Sequence, residues 1–235
     1  MRQVPQYSII GNGRVAQHMC HYLKSLDLPF SHWHRQTHYS LQETVKNATH
    51  VLLLIKDSAI EPFITEHTDL TEKTLIHFSG CHLSDRAFGA HPLMTFSNVL
   101  YPTSNYRQIP FIIEQTTTNF AELLPGLPNP HFTIPRQMKA YYHSLCVMTN
   151  NFTTLLWQKF FKELATRWQI PEQATFPFLQ QTLTNLQQQN TTALTGPLAR
   201  NDQATISQNL QALKDDPFQA VYASFVQAYI KSNQK

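Results

Sequence analysis

Ile9-Ile10-Gly11-Asn12-Gly13-Arg14-Val15-Ala16 is the stretch that decides how the rest of the chain is read. A short strand candidate, Gln6 to Ile10, runs into it, and Val15, Met19, Tyr22, Leu23 and Leu26 then recur at helical spacing along one apolar face. Glycine at 11 permits a tight turn off the strand. Glycine at 13 lets the backbone approach a pyrophosphate, and the small Ala16 lets helix and strand pack closely. The free amides that open the helix suit an anion. Gly11, Asn12, Gly13, Arg14 and Val15 are therefore the expected cofactor-binding residues of a dinucleotide turn. Read without a ligand, the same residues make only a tight strand-to-helix connection.

Dinucleotide turns that take NAD usually have Asp or Glu about 20 residues further on, at the end of the second strand. Here Phe30 to His34 is the strand candidate, and His32-Trp33-His34-Arg35-Gln36-Thr37 contains no acid. Arg35 can pair with a 2′-phosphate and stack on adenine, and Thr37 can add a hydroxyl. NADP(H) is thus favoured over NAD(H). In the bland reading Arg35 is a surface cation that follows a strand.

Further along, Gln42 to Asn47 suits a short helix, and the uninterrupted apolar run Val51 to Ile55 suits a central parallel strand buried on both faces. Ser58 to Glu66 reads as helix, Thr74 to Phe78 as a fourth strand, and Phe111 to Ile113 as another. Strands alternating with helices imply an α/β fold, a Rossmann-type parallel sheet with right-handed crossovers. Past Pro135 the texture changes. Gln137 to Trp168 is rich in apolar and aromatic residues and predicts a long, largely buried helix ended by Pro171. Phe176 to Asn190 predicts a second helix with a solvated glutamine face. Thr205 to Gln208 has capping-box spacing, and Asp216-Pro217 opens a last helix with Phe218, Val221, Tyr222, Phe225, Val226 and Tyr229 on its apolar face. The expected division is a dinucleotide-binding domain over 1–136 and an all-helical domain over 137–235.

Composition narrows the class. With 42% hydrophobic and 14% charged residues and a formal charge of +3, a globular fold is expected. The basic residues form no run and do not alternate with aromatics, so no nucleic-acid partner is expected. Met1 to Ile10 holds no long apolar leader and no apolar run approaches a membrane span, which makes a soluble, cytoplasmic protein the expectation. Cys20, Cys81 and Cys146 are far apart and read as buried thiols. The pairs His18/His21 and His32/His34 lack a carboxylate or cysteine to complete a set, so no metal is expected.

Motifs spread along the chain carry a resemblance. They include the Gly11–Val15 turn, Leu54 to Ile60, His77-Phe78-Ser79-Gly80 and Gly89-Ala90-His91-Pro92-Leu93-Met94-Thr95-Phe96. They continue with Tyr142-His143 and Asn151, and with Thr195-Gly196-Pro197-Leu198-Ala199-Arg200-Asn201-Asp202. With these the chain resembles a bacterial family of Rossmann-like proteins that carry a C-terminal helical domain of unknown function. That family is related to ketopantoate reductase, pyrroline-5-carboxylate reductase, prephenate dehydrogenase and 3-hydroxyisobutyrate dehydrogenase. The resemblance implies a C-terminal domain like that of 6-phosphogluconate dehydrogenase, and a homodimer formed through it.

It also implies that Ser79 and His91 contact a substrate oxygen beside a nicotinamide. Lys56 and Asp57, at a strand end, fall on the cofactor side of that crevice. Imidazole suits proton transfer because it ordinarily titrates near neutrality. The alternative is that His91 only braces its loop. His143 and Asn151, eight residues apart on one helix, can border the same cleft; they can equally serve as a core histidine and a cross-helix hydrogen bonder. Several relatives place a catalytic lysine one turn before that asparagine, where this chain has Val147. Arg200 can hold a substrate carboxylate or phosphate, or pair with Asp202. The reading that gathers these residues is an NADP(H)-dependent oxidoreductase acting on a small carboxylate-bearing carbonyl, hydroxyl or imine compound. Its rival is a non-catalytic NADP(H) sensor.

Overall fold

The glycine turn sits between the first strand and the first helix, and the sheet grows outward on both sides of that strand. The computed structural model describes residues 5–233, so the reading of residues 1–4 as free of a leader lies outside the described residues. Strand β1 (Tyr7–Ile10) is buried along its whole length and feeds helix α1 (Arg14–Ser25). Next come β2 (Phe30–Trp33), α2 (Leu41–Val45), β3 (His50–Leu53), α3 (Asp57–Glu66) and β4 (Thr74–His77). They are followed by β5 (Phe88–Pro92), α4 (Thr103–Gln108), β6 (Phe111–Glu114), α5 (Phe120–Leu123) and β7 (His131–Ile134). The strands lie in the order β2-β1-β3-β4-β5-β6-β7. This is an α/β, Rossmann-like fold. One apolar cluster (Tyr7, Ile9, Leu52, Ile76, Phe111) packs with α1 on one face, and a second (Ile10, Val51, Leu53, Leu75) packs with Ile60 and Ile64 of α3 on the other.

Three features depart from the sequence reading. The sheet is not wholly parallel, because β5 and β6 pair antiparallel, Ala90 opposite Ile113 and Pro92 opposite Phe111. Strand β5 itself falls where a motif-bearing loop is expected. Its glycine weakens the strand signal, and Pro92 is tolerated because it closes the strand. Strand β7 is an edge strand whose residues are mostly exposed and which lies between Pro130 and Pro135, so it lacks the apolar alternation that marks a half-buried strand.

The chain divides into two compact units, Met1–Leu156 and Trp157–Lys235. A helical run begins at Arg136 and comprises a 3₁₀ turn (Arg136–Met138), α6 (Lys139–Cys146), a π-helical segment (Val147–Phe152) and α7 (Thr153–Trp168). The expectation that this run is largely buried is corrected. Lys139 is its one buried residue, and Tyr141, Leu145, Met148, Phe152 and Leu155 are exposed in the single chain. An apolar helix predicts burial without saying which chain provides the cover.

In the second unit, α8 (Phe176–Gln189), α9 (Gly196–Ala199), α10 (Gln203–Ala212) and α11 (Phe218–Ser232) follow. The cap of α10 is Asp202, whose carboxylate accepts from the Thr205 amide at 3.0 Å, and not Thr205 itself. Aspartate is the stronger N-cap and stands three residues earlier. Asp216 accepts from the Phe218 amide at 2.8 Å and opens α11 as expected. Of the thiols read as buried, Cys20 and Cys146 are half-buried and Cys81 is exposed. Among the described residues no helix is long and apolar enough to cross a membrane.

Gly11 has a φ of +124°, and a Cβ there would stand 2.2 Å from the Leu54 carbonyl oxygen. Gly13 has an extended backbone and nothing within 4 Å of an added Cβ. Gly11→Ala is therefore expected to lower stability in urea unfolding by at least about 2 kcal/mol, the scale of a strained dihedral. Gly13→Ala should cost less than about 1 kcal/mol. Equal costs would contradict the assigned backbone conformation.

Candidate active site

Helix α1 begins without a side-chain cap and with no acid in its first turn, so its leading amides are open to an anion. Around them, Asn12 is bonded to Gln17, and Arg14 donates to the Phe96 carbonyl at 3.4 Å. Ala16 is fully buried against the sheet and Val15 packs against the same core. His32 bonds the Gly11 carbonyl at 2.6 Å and so fixes the turn to the end of β2. Arg35 stands in the turn just past β2, exposed and with no side-chain hydrogen bond or ion pair among the described residues. Because β2 is the neighbour of β1, Arg35 occupies the same carboxyl edge as the glycine turn. Lys56 is the exposed N-cap residue of α3, one strand over on the other side.

A second group forms at the carboxyl ends of β4 and β5. Asp57, the first residue of α3, accepts the Ser79 hydroxyl at 2.6 Å. Ser79 in turn accepts from the amides of His82 (2.9 Å) and Cys81 (3.3 Å). Its single donor and both lone pairs are thus engaged within the loop after β4. His91, on β5, is half-buried. Its Nδ1 lies 2.7 Å from the Tyr142 hydroxyl, and its ring stands edge-on to His143 with centroids 5.7 Å apart. Its Nε2 has no hydrogen-bond partner among the described residues. The expectation that His91 titrates near neutrality is corrected. Burial first, then the neighbouring His143 and Lys139, push its pKa down to about 4, so the ring is neutral at pH 7. Burial pushes the Tyr142 hydroxyl upward, and it stays protonated.

Beneath this pair lies chemistry that the sequence reading did not single out. Lys139 and Glu114 form a buried ion pair, Nζ to Oε1 at 2.5 Å, with side chains 3% and 5% exposed. Arg136 approaches the other carboxylate oxygen at 3.6 Å. His77, at the end of β4, is fully buried with both ring nitrogens unbonded, and burial followed by Lys139 drives its pKa down to about 3. One signal was available in sequence: Lys139, Tyr142 and His143 stand at i, i+3 and i+4 and so share one helix face.

The structure thus gathers Asp57, Ser79, His91 and His143 in the first unit, with the glycine turn, Arg35 and Lys56 along the same sheet edge. Asn151 lies on the π-helical segment, exposed and without a side-chain hydrogen bond among the described residues. The π turn re-phases the helix, so the offset between His143 and Asn151 calculated for a uniform α-helix does not hold. Arg200 belongs to the second unit, is exposed at the end of α9, and makes no ion pair with Asp202, whose carboxylate is occupied by Thr205.

Comparison with known proteins bears on this edge of the sheet. A protein from Bacteroides fragilis, provisionally described as an NADP oxidoreductase, superposes with a TM-score of 0.76 at 20% identity, over 96% of this chain and 97% of that one. An imine reductase from Streptomyces aurantiacus superposes with a TM-score of 0.67 at 12% identity, over 98% and 100%. Pyrroline carboxylate reductase from Plasmodium falciparum, solved with NADP bound, gives 0.59 at 10% identity over 97% of both chains. At these identities the likeness is one of fold. No curated protein sequence matches the chain. Residues 109–229, from β6 through most of α11, match the domain of unknown function DUF2520, and the chain belongs to the family that this domain defines.

Proposed function

We propose that this protein is an NADP(H)-dependent oxidoreductase, a cytoplasmic homodimer that acts on a small carboxylate-bearing carbonyl, hydroxyl or imine compound. The observation that carries the reading is the pairing of two features on one sheet edge. At one end is a glycine turn with an open, uncapped helix start; at the other is a neutral imidazole with a free Nε2. The residues present fit the cofactor. Space above Gly13 admits a pyrophosphate, the first turn of α1 has no acid to repel it, and an unengaged Arg35 replaces the acid that would favour NAD. The fold likeness to proteins described as NADP oxidoreductase, imine reductase and pyrroline carboxylate reductase supports the same class.

Gly11, Asn12, Gly13, Arg14 and Val15 would hold the pyrophosphate, Arg35 the 2′-phosphate, and Lys56 and Asp57 the flank. When bound, the nicotinamide supplies or takes a hydride. The chain's task is then to move the accompanying proton and orient the substrate. Neutral His91 accepts a proton at Nε2 from a hydroxyl or amine being oxidised, while its Nδ1 stays on Tyr142; reduction runs this step backward and requires Nε2 first to take a proton from solvent. Ser79 acts by holding Asp57 and the loop. His143 walls the site, and Asn151 contacts the substrate. One observation favours the rival reading as a non-catalytic NADP(H) sensor: Ser79 has no hydrogen-bonding capacity left for a substrate.

The homodimer is proposed from the exposed residues Tyr141, Leu145, Met148, Phe152 and Leu155 of this helical run, large apolar side chains that the single chain leaves uncovered. Light scattering at micromolar concentration is expected to give twice the chain mass, and Leu145→Lys combined with Phe152→Lys to give the monomer. A monomeric wild type ends that assignment.

Fluorescence titration tests the cofactor. NADPH is expected to bind in the micromolar range or better and Gly13→Asp to abolish binding. Arg35→Ala should weaken NADPH by roughly tenfold, about 1.5 kcal/mol on the scale of a charge-assisted hydrogen bond, and leave NADH unchanged. Equal losses for both cofactors would make Arg35 a mere surface charge.

His91→Asn should retain NADPH affinity and lose roughly 10²- to 10⁴-fold in turnover on a substrate found by metabolite screening. Because His91 works as a neutral base with its pKa near 4, the oxidative rate should be level around pH 7 and fall only as the pH drops toward about 4. Wild-type turnover in the variant refutes the assignment.

A further inference from the structure

We propose that Lys139 is a positioning residue of this site: seated in the side-chain space that Gly89 leaves open and tethered by Glu114, it presents a fixed positive charge to His91. The inference rests on the proposed role of His91 in proton transfer.

The seat is built from missing atoms. A Cβ at position 89 would lie 2.2 Å from both Lys139 Nζ and Glu114 Oε1, and one at position 80 would lie 2.1 Å from His143 Nδ1. Neither glycine has a positive φ, so the backbone does not require glycine at either place. Space does. Positions 139 and 143 are one helical turn apart, so two consecutive turns of α6 plug into two vacancies, one in the loop after β4 and one at the start of β5. Tyr142, on the same face, bonds His91. This fixes where Lys139 stands relative to the imidazole.

Stability alone is a poor reason for such a pair. Two charges withdrawn from water regain at best about what they lose, and an apolar pair of the same volume is often as stable or more so. The ammonium has three donors, of which Glu114 takes one. Glu114 also faces Arg136, which is itself paired with Asp85 at 2.6 Å, so two cations and two carboxylates balance and the ammonium is the buried cation among them.

The charged and titratable groups around His91 come from every element packed there. Helix α6 contributes Lys139, His143 and the bonded Tyr142, and helix α3 contributes Asp57; behind Lys139 stand Glu114 of β6 and Arg136, and His77 on β4 is acted on by Lys139, His82, Asp57 and Glu61. Among those that act on His91, His143 and Lys139 oppose its protonation and Asp57 favours it. Lys139 opposes protonation of His77 as well. One lysine therefore bears on both imidazoles at the edge of the sheet, and both are neutral at pH 7.

The test is an NMR titration of histidine ring signals in the full-length, ligand-free protein, with His91 assigned by its loss in His91→Asn. The double variant Lys139→Met/Glu114→Gln replaces the ion pair with neutral side chains of similar size. It is expected to raise the His91 midpoint by roughly half a pH unit, less than one full screened charge would give, because the lost carboxylate offsets part of the lost ammonium. The acid limb of the pH–rate profile should move up equally. A merely structural pair would lower the melting temperature, and turnover at every pH, and leave the midpoint in place. An unmoved midpoint in the folded double variant overturns the proposal. Should that variant not fold, Gly89→Ala decides: its methyl displaces the ammonium, and an unmoved midpoint there overturns the proposal as well. The titration needs neither cofactor nor substrate. A shifted midpoint without any turnover would therefore sink the oxidoreductase reading and leave the action of Lys139 on His91 standing.

Discussion

Helix α6 lies against the loop after β4 and the start of β5 because positions 80 and 89 carry no side chain. An added Cβ at either would stand 2.1–2.2 Å from a ring nitrogen, an ammonium or a carboxylate oxygen of the opposing layer. Removing those two atoms brings His143 onto the loop after β4, and Lys139 between β5 and the end of β6. Tyr142 is carried along and meets His91 at 2.7 Å. The whole second group of candidate residues follows from that approach. The register of the sheet supplies the other half of it, since His77 is the partner of Gly89 across β4 and β5.

Burial then decides what those side chains are. An imidazole in water is half protonated near pH 6.5, and the sequence alone gives no reason to expect otherwise. Sealed beside a lysine and further histidines, His91 and His77 lose the ability to carry charge at neutral pH. The buried cation beside them, Lys139, is held by a carboxylate on β6. A site arranged like this keeps its imidazoles unprotonated at neutral pH, so the resting form of His91 is the one with an open Nε2. That agrees with the proposed use of His91 as a base at Nε2.

Much of this was legible in the residues. The Gly11/Gly13 turn, the apolar face of α1, the buried run of β3 and the start of α3 all declare themselves by local periodicity, and the structure has them in place. His91 and the Tyr142-His143 pair were visible as motifs, though their mutual contact was not. What stayed hidden depends on contacts between distant positions. Glu114 and Lys139 are 25 residues apart, and nothing near either one says that they meet. Gly80 and Gly89 look like turn glycines, whereas their function is to leave room. Strand β7 was missed because an edge strand between prolines need not alternate. The long helix was read as buried because its composition is apolar, but composition carries no information about which surface covers it.

The mixed pairing of the sheet gives the two halves of the candidate site their separation. From β1, which carries the glycine turn, to β5, which carries His91, the order runs through β3 and β4. Three inter-strand steps of nearly 5 Å make about 14 Å along the carboxyl edge. Parallel pairing through β5 gives all four strands the same polarity: the carboxyl ends of β1, β3 and β4 line up level with Gly89, and β5 runs on to carry His91 two residues past that level. The reversal comes only at β6, which returns antiparallel. Had β6 continued parallel, Glu114 would still end a strand at this edge. The antiparallel register instead runs His91 opposite Ile112, which carries Glu114 past Ala90 to the level of Gly89, where Lys139 can reach it. The reversal of one strand is therefore what puts a carboxylate behind the lysine. On the proposed reading, that is what anchors the charge facing His91.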